Sequence, residues 1–308
     1  MRRKLSFWRV AALLLLVGLG FALYRSAAGD VTPGALRPHI ARVEISGLIQ
    51  DNRELQERLE KIAKDDQVKA LIVSINSPGG TTYGGERIYQ SIRAVAEKKP
   101  VVSNIRTLAA SAGYMVASAG DTIIAGETSI TGSIGVLFQY PQARELMDKI
   151  GVSLESIKSS PLKAEPSPFT NASPEARAMI QAMVTDSYDW FVDLVAERRQ
   201  MPREEALLLA DGSIYTGRQA LKAKLVDQLG DEPEIRAYLE GKGVAAGLSI
   251  IEWEEPRSSA SFLFPGAVSR LINLLGYGDF IRAEDLRNLA GDKLFLDGLI
   301  SVWQVGRD

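Results

Sequence analysis

Ser111 lies in TLAASAGYMVASAGDTIIAGETSITGSIGV (residues 107–136), among Ala109, Ala110, Ala112 and Gly113. A hydroxyl with such small neighbours is open to a substrate. At a helix start, the Ala112 N–H and the helix dipole could hold a developing oxyanion. The same position also suits a plain serine N-cap on a close-packed helix. A nucleophilic serine needs a base. The chain has one histidine, His39, and no cysteine. A Ser-His-Asp arrangement would have to recruit His39, which follows directly on an apolar N-terminal segment and its linker, so lysine is the leading candidate for the base. Lys163 lies in SSPLKAEPSP (residues 159–168), where prolines on both sides oppose a long helix. A lysine acts as a base only when neutral, the form that burial among apolar groups favours. Ser133, in a second Gly-flanked turn, could orient that amine. Lys163 can equally be read as a solvated loop lysine next to Glu165.

NSPGG (residues 76–80) reads as a tight turn after an apolar strand. Gly79 and Gly80 permit close backbone approach, and a free N–H at the carboxyl end of a parallel strand could form half of an oxyanion hole. A simple strand-to-helix turn is the competing reading. Gly84-Gly85 makes no P-loop, because no Gly-Lys-Ser/Thr follows.

The elements that must position these residues alternate. Strands are expected at 40–45 (continued at 47–49 after a turn), 68–75, 100–104, 122–125 and 153–157. Helices are expected at 52–64, with Leu55, Leu59 and Ile62 on one face, and at 84–97, with Ile88, Ile92 and Val95 inward. Further helices are expected at 111–119 and 142–150. A long helix from Ser173 to about Arg199 has Ser173 as N-cap and Pro174 in its first turn. Its core face could use Met179, Met183, Trp190, Phe191 and Leu194. Helical turns after Pro202 and at 217–224 complete the unit near Gly230. This alternation predicts an α/β fold with a mainly parallel sheet.

Arg2, Arg3 and Lys4 precede FWRVAALLLLVGLGFALY (residues 7–24). Eighteen residues at ~1.5 Å each give roughly 27 Å, near the thickness of a hydrocarbon core. The basic cluster places residues 1–6 in the cytoplasm and the remaining chain outside. A signal peptide cleaved near Ala28 is the alternative. Residues 25–38 read as a linker, 39–244 as the main domain and 245–308 as a C-terminal extension. Within the extension, residues 258–276 are apolar around a Pro-Gly break, with Val268, Leu271, Ile272, Leu274 and Leu275 able to share one helix face. That face suits packing on the same subunit or a neighbour better than attachment to a membrane surface. A net charge of −2, with no basic stripe, speaks against a nucleic-acid partner. The missing cysteines exclude disulfides, thiolate metal sites and a cysteine nucleophile.

Taken in order, NSPGG at 76–80, AASAGY at 109–114, TGSIGV at 131–136, the loop holding Lys163 and DGSIYTGRQALKAKLVDQLG at 211–230 resemble the signal peptide peptidase SppA family in its short, single-catalytic-domain form. The resemblance runs from the N-terminal anchor to about Gly230 and fades over the last 60 or so residues. It implies a ClpP/crotonase-like fold behind a transmembrane helix. It also implies a Ser-Lys peptidase of the bacterial inner membrane, facing the periplasm and cutting remnant signal peptides and other apolar peptides. Carried over by position, Ser111 is the nucleophile, Lys163 the general base, Ser133 the residue supporting Lys163, and Gly80 with the Ala112 amide the oxyanion hole. One glycine of the family's frequent Ala-Ser-Gly-Gly is Ala112 here. The resemblance further implies ring-shaped homo-oligomers with sites formed between neighbours, and neither a cofactor nor a metal. Two other classes stand beside this one. A crotonase-like acyl-CoA enzyme would need neither the anchor, Ser111 nor Lys163, and a silent membrane scaffold would only bind peptides.

Overall fold

The computed structural model describes residues 37–254 and 299–302. The expected anchor at residues 7–24 and the apolar stretch at 258–276 lie outside them. Among the described residues, no helix is long and apolar enough to cross a membrane.

In chain order the elements are β1 (His39–Ile49), α1 (Arg53–Lys64), β2 (Val68–Thr81), α2 (Thr82–Ala96), β3 (Val101–Ala110), α3 (Ala112–Ala117), β4 (Thr122–Ala125) and β5 (Ile130–Gly132). There follow α4 (Arg144–Ile150), α5 (Pro174–Arg198), α6 (Arg203–Leu209), β6 (Ile214–Thr216), α7 (Gly217–Lys222), β7 (Gln228–Leu229), α8 (Glu232–Gly241), β8 (Ile250–Glu252) and β9 (Ile300–Val302). One sheet takes the path β6-β5-β3-β2-β1-β8, with β4 between β3 and β7, and β9 on β2. All pairings are parallel except β5 with β6 and β2 with β9.

Alternation along β2 divides the core. Leu71, Val73 and Ile75 face α1 and α2, where Leu55, Leu59, Ile62, Ile88, Ile92 and Val95 are buried as their helical spacing predicts. Ala70 and Ile72 face the other way, onto Ile235 and Leu239 of α8. A strand buried on both faces needs apolar residues at both parities, which explains the unbroken run VKALIVSI. Capping follows the sequence as well. Asn52 Oδ1 accepts from the Leu55 N–H at 2.8 Å, and Ser173 Oγ accepts from the Ala176 N–H at 3.1 Å.

Three expectations change. NSPGG is no tight turn: β2 runs extended through it to Thr81, paired with β1 on one side and β9 on the other. Its irregularity is absorbed as register shifts between Ile75 and Ser77 and between Ser46 and Leu48. Residues 153–157 form no strand, because no neighbouring strand takes up their backbone. Of the α5 face, Phe191 and Leu194 are buried, whereas Met183 and Trp190 are exposed. Apart from Ala176 in the first turn, the buried residues of α5 lie in its C-terminal half, at Phe191, Val192, Leu194 and Val195. Beyond residue 244, β8 and β9 join the same sheet.

Candidate active site

β3 crosses the middle of the sheet and changes neighbours along its length. Val102–Ile105 pairs with β4, and Leu108–Ala110 pairs with β5. At its carboxyl end the chain turns through Ser111, with φ 59° and ψ −119°, into α3. That backbone lies in the sparsely populated positive-φ region and costs on the order of 1–3 kcal/mol. Its surroundings hold it there. The Ser111 N–H donates to Gly132 O at 2.8 Å, and its carbonyl accepts from the Met115 N–H at 2.9 Å. The Ser111 side chain makes no capping hydrogen bond to α3, so the plain N-cap reading does not describe it.

The small neighbours also serve packing. Ala109, Ala110, Ala112 and Gly113 are buried, and a Cβ on Gly113 would come within 2.9 Å of Ser77 O. The Ser77 hydroxyl donates to Gly47 O at 2.7 Å and accepts from the Gly79 N–H at 3.1 Å. It thereby ties the irregular end of β2 to that of β1. Gly80 sits tightest: a Cβ would lie 1.9 Å from Ile49 O and 2.6 Å from Ile49 N. Gly80→Ala is therefore expected to push β2 off β1. The cost is about 2 kcal/mol of overpacking, or roughly 4–8 °C in Tm, read by a thermal melt, and peptide hydrolysis falls with it.

Ser133 follows Gly132, so the β3–β5 pairing brings Ser111 and Ser133 to one corner. Ser133 has φ 51°, donates its N–H to Ser213 O at 2.7 Å and is buried. Its hydroxyl has no hydrogen-bond partner among the described residues. The Ala112 amide opens α3 and has no acceptor within that helix. On α3, burial pushes the Tyr114 phenol above its ordinary range, and its hydroxyl donates to Leu225 O at 2.8 Å.

Lys163 stands apart. It is exposed on a turn closed by its own N–H to Ser160 O at 3.1 Å, and its amine bonds to no described residue. Lys158, rather than Lys163, pairs with Glu165 at 2.5 Å, and that hydrogen bond holds the Glu165 carboxyl below the usual carboxylate range. Among the described residues no hydrogen bond joins Lys163 to Ser111, whose side chain bonds to Ser301.

His39 is remote from Ser111. It opens β1 opposite Val68, whereas Ala109 near the end of β3 lies opposite Ser77, nine residues further along β2. That is roughly 30 Å along parallel strands. The Trp253 indole N–H donates to His39 Nε2 at 3.1 Å, so the ring proton sits on Nδ1 and is donated to Arg37 O at 2.8 Å. Both nitrogens are committed. His39→Ala is expected to keep kcat/KM within about twofold while lowering the melting temperature; a loss of the order seen for a catalytic base would overturn this.

Sequence reasoning missed the closest partner of the nucleophile candidate. Ser301 of β9 hydrogen-bonds Ser111 through its hydroxyl and donates to Gly135 O at 2.7 Å. Only a short apolar run, LISV, marked this segment. A cleft of about 800 Å³ lined by Arg42, Glu44, Leu48, Arg58, Arg106 and Trp253 contains none of the predicted site residues. Among the described residues no cluster of His, Asp and Glu could hold a metal ion.

A serine on a strained strand-to-helix turn, at the carboxyl end of a largely parallel sheet buried on both faces, is an arrangement that hydrolytic chemistry at a serine could use. Comparison with known proteins fits that chemistry. The description of Clp protease matches residues 43–129, and that of peptidase family S49 matches residues 93–244. A protein of Synechocystis sp. named as a protease is 38% identical over 203 residues, covering 66% of this chain and 73% of that protein. A protein of Enterococcus faecium named as a signal peptide peptidase SppA is 32% identical, covering 72% and 68%. A solved mutant of the 1510-N membrane-bound stomatin-specific protease superposes with a TM-score of 0.50 at 17% identity, over 71% of this chain and 99% of that one. That likeness concerns the fold alone. The chain belongs to peptidase family S49 and is a serine peptidase with a ClpP-like α/β fold.

Proposed function

We propose that this peptidase hydrolyses remnant signal peptides and other apolar peptides by a Ser111–Lys163 dyad, through an acyl-enzyme. The observation that carries the reading is Ser111 itself, held at φ 59° at the end of β3, next to Ser133, whose hydroxyl has no hydrogen-bond partner among the described residues. Neutral Lys163 takes the Ser111 proton, and Ser111 attacks the scissile carbonyl. The amides of Gly80 and Ala112 bind the oxyanion. Lysine then protonates the leaving amine, and water releases the acyl group. Ser133 orients the amine of Lys163.

In this reading Lys163 reaches Ser111 from a neighbouring subunit of a homo-oligomeric ring. Two features support that geometry. Lys163 is exposed and its amine bonds to no described residue. The segments around it carry exposed apolar side chains, among them Leu146, Ile150, Leu154, Phe169, Met183 and Trp190, the kind of patch that a partner covers. Residues 7–24 would anchor the enzyme in the bacterial inner membrane with the 39–244 domain on the periplasmic side. The direct test is labelling of the full chain with a serine-directed phosphonate, followed by peptide mapping. The adduct is expected on Ser111; an adduct elsewhere with Ser111 unmodified and activity lost would overturn the reading.

A further inference from the structure

The segment DGSIYTG (residues 211–217) contributes no side chain to the proposed dyad, yet its backbone reaches the corner that holds both serines. There β6 pairs antiparallel with β5, with Ile214 opposite Gly132. Ser111 and Ser133 stand at φ 59° and 51°, a region that residues with side chains adopt only where their surroundings impose it. The imposing contacts form a chain. The Ser111 N–H donates to Gly132 O at 2.8 Å, and the next residue, Ser133, donates its N–H to Ser213 O at 2.7 Å. The Ser213 N–H in turn donates to Asp211 Oδ1 at 2.8 Å. Asp211 thereby closes an Asx turn over Gly212, which has φ 84°.

This turn is anchored on both sides. The Tyr188 hydroxyl of α5 donates to Ala210 O at 2.8 Å, and Thr216 forms a capping box with Gln219 at the start of α7. Gly132 has no slack against it: a Cβ there would lie 2.7 Å from Tyr215 Cδ2 and 2.9 Å from Ser213 O. A shift of the Ser213 carbonyl is therefore passed on to Gly132 and Ser133 rather than absorbed. Hydrogen bonding by Ser213, side chain first and backbone second, holds the Asp211 carboxyl below the usual carboxylate range. The group is then a pure acceptor near neutral pH.

We infer that Asp211 is a positioning residue for the serine corner: through the Ser213 carbonyl it fixes the backbone of Ser133, and with it the direction in which the Ser133 hydroxyl meets the lysine amine. The inference rests on the reading of Ser133 as the group that orients Lys163. Asp211 itself touches no reacting atom. Its role requires an acceptor two residues before Ser213 and no charge, so asparagine can fill it.

The test compares Asp211→Ala, Asp211→Asn, Ser133→Ala and the double variant Ser133→Ala/Asp211→Ala in the full chain, on an apolar fluorogenic peptide, well below the melting temperature of each. Asp211→Ala is expected to lower kcat on the order of tenfold with KM nearly unchanged, since misplacement by a fraction of an ångström suffices. Asp211→Asn is expected to restore kcat to within about twofold of the wild-type chain. In the Ser133→Ala background, Asp211→Ala is expected to cost less than about threefold, because the hydroxyl it aims is gone. An Asp211→Ala enzyme with unchanged kcat, whatever its melting temperature, would overturn the inference. So would an Asp211→Asn enzyme as slow as Asp211→Ala, or fully additive losses in the double variant. Ser133→Ala separates the two levels. Full activity of that variant removes Ser133 from the mechanism and the inference with it, whereas a slow Ser133→Ala enzyme beside a fast Asp211→Ala enzyme removes the inference alone.

Discussion

Ser111→Ala is expected to lower kcat for apolar peptides on the order of 10⁵-fold, the scale at which a serine hydrolase loses its nucleophile. The variant should fold. Its β-carbon is unchanged, so the positive φ at position 111 is no worse tolerated than before. The removed hydroxyl leaves Ser301 still bonded to Gly135 O. Loss of one hydrogen bond of this kind amounts to about 1 kcal/mol. Hydrolysis, phosphonate labelling and a thermal melt, read on the same preparation, check the three statements separately. A folded Ser111→Ala enzyme with substantial hydrolysis would remove Ser111 from the mechanism.

Lys163→Ala is expected to cost about 10²–10⁴-fold in kcat, the usual contribution of a general base, with almost no change in stability. An exposed side chain whose amine bonds to no described residue has little to lose on truncation. The sharper result concerns mixing. If Lys163 serves the serine of a neighbour, oligomers reassembled from Ser111→Ala and Lys163→Ala subunits in equal amounts regain activity. A head-to-tail contact then pairs an intact serine with an intact lysine at about a quarter of the sites. Full activity of Lys163→Ala alone would sink the dyad. Assembled mixtures that stay inactive would sink its division between subunits.

The elements around the site were legible wherever the signal was local. Leu55, Leu59 and Ile62 fall on one helix face because a helix repeats every 3.6 residues, and Asn52 and Ser173 cap because their side chains reach amides only three residues on. Ser111 stood out because a serine among alanines and glycines, in a chain with one histidine, has few structural excuses. What failed to show was non-local. NSPGG looks like a turn from its composition. It is extended because β1 and β9, distant in sequence, supply its hydrogen bonds. Met183 and Trp190 share a helical spacing with Phe191 and Leu194, yet periodicity names a face without saying what covers it.

The sequence by itself determined the parallel sheet, the helices that cover it and the serine at its edge, since propensity, periodicity and capping act over a few residues. Tertiary structure alone decided the rest. It strained Ser111 against Gly132, committed both nitrogens of His39 at the far end of the sheet, and left Lys163 exposed. It also laid Ser301 on Ser111 from 190 residues away. Strand pairing has no local code: any extended run can complete an open edge, and only the folded sheet shows which edge is open and which run reaches it.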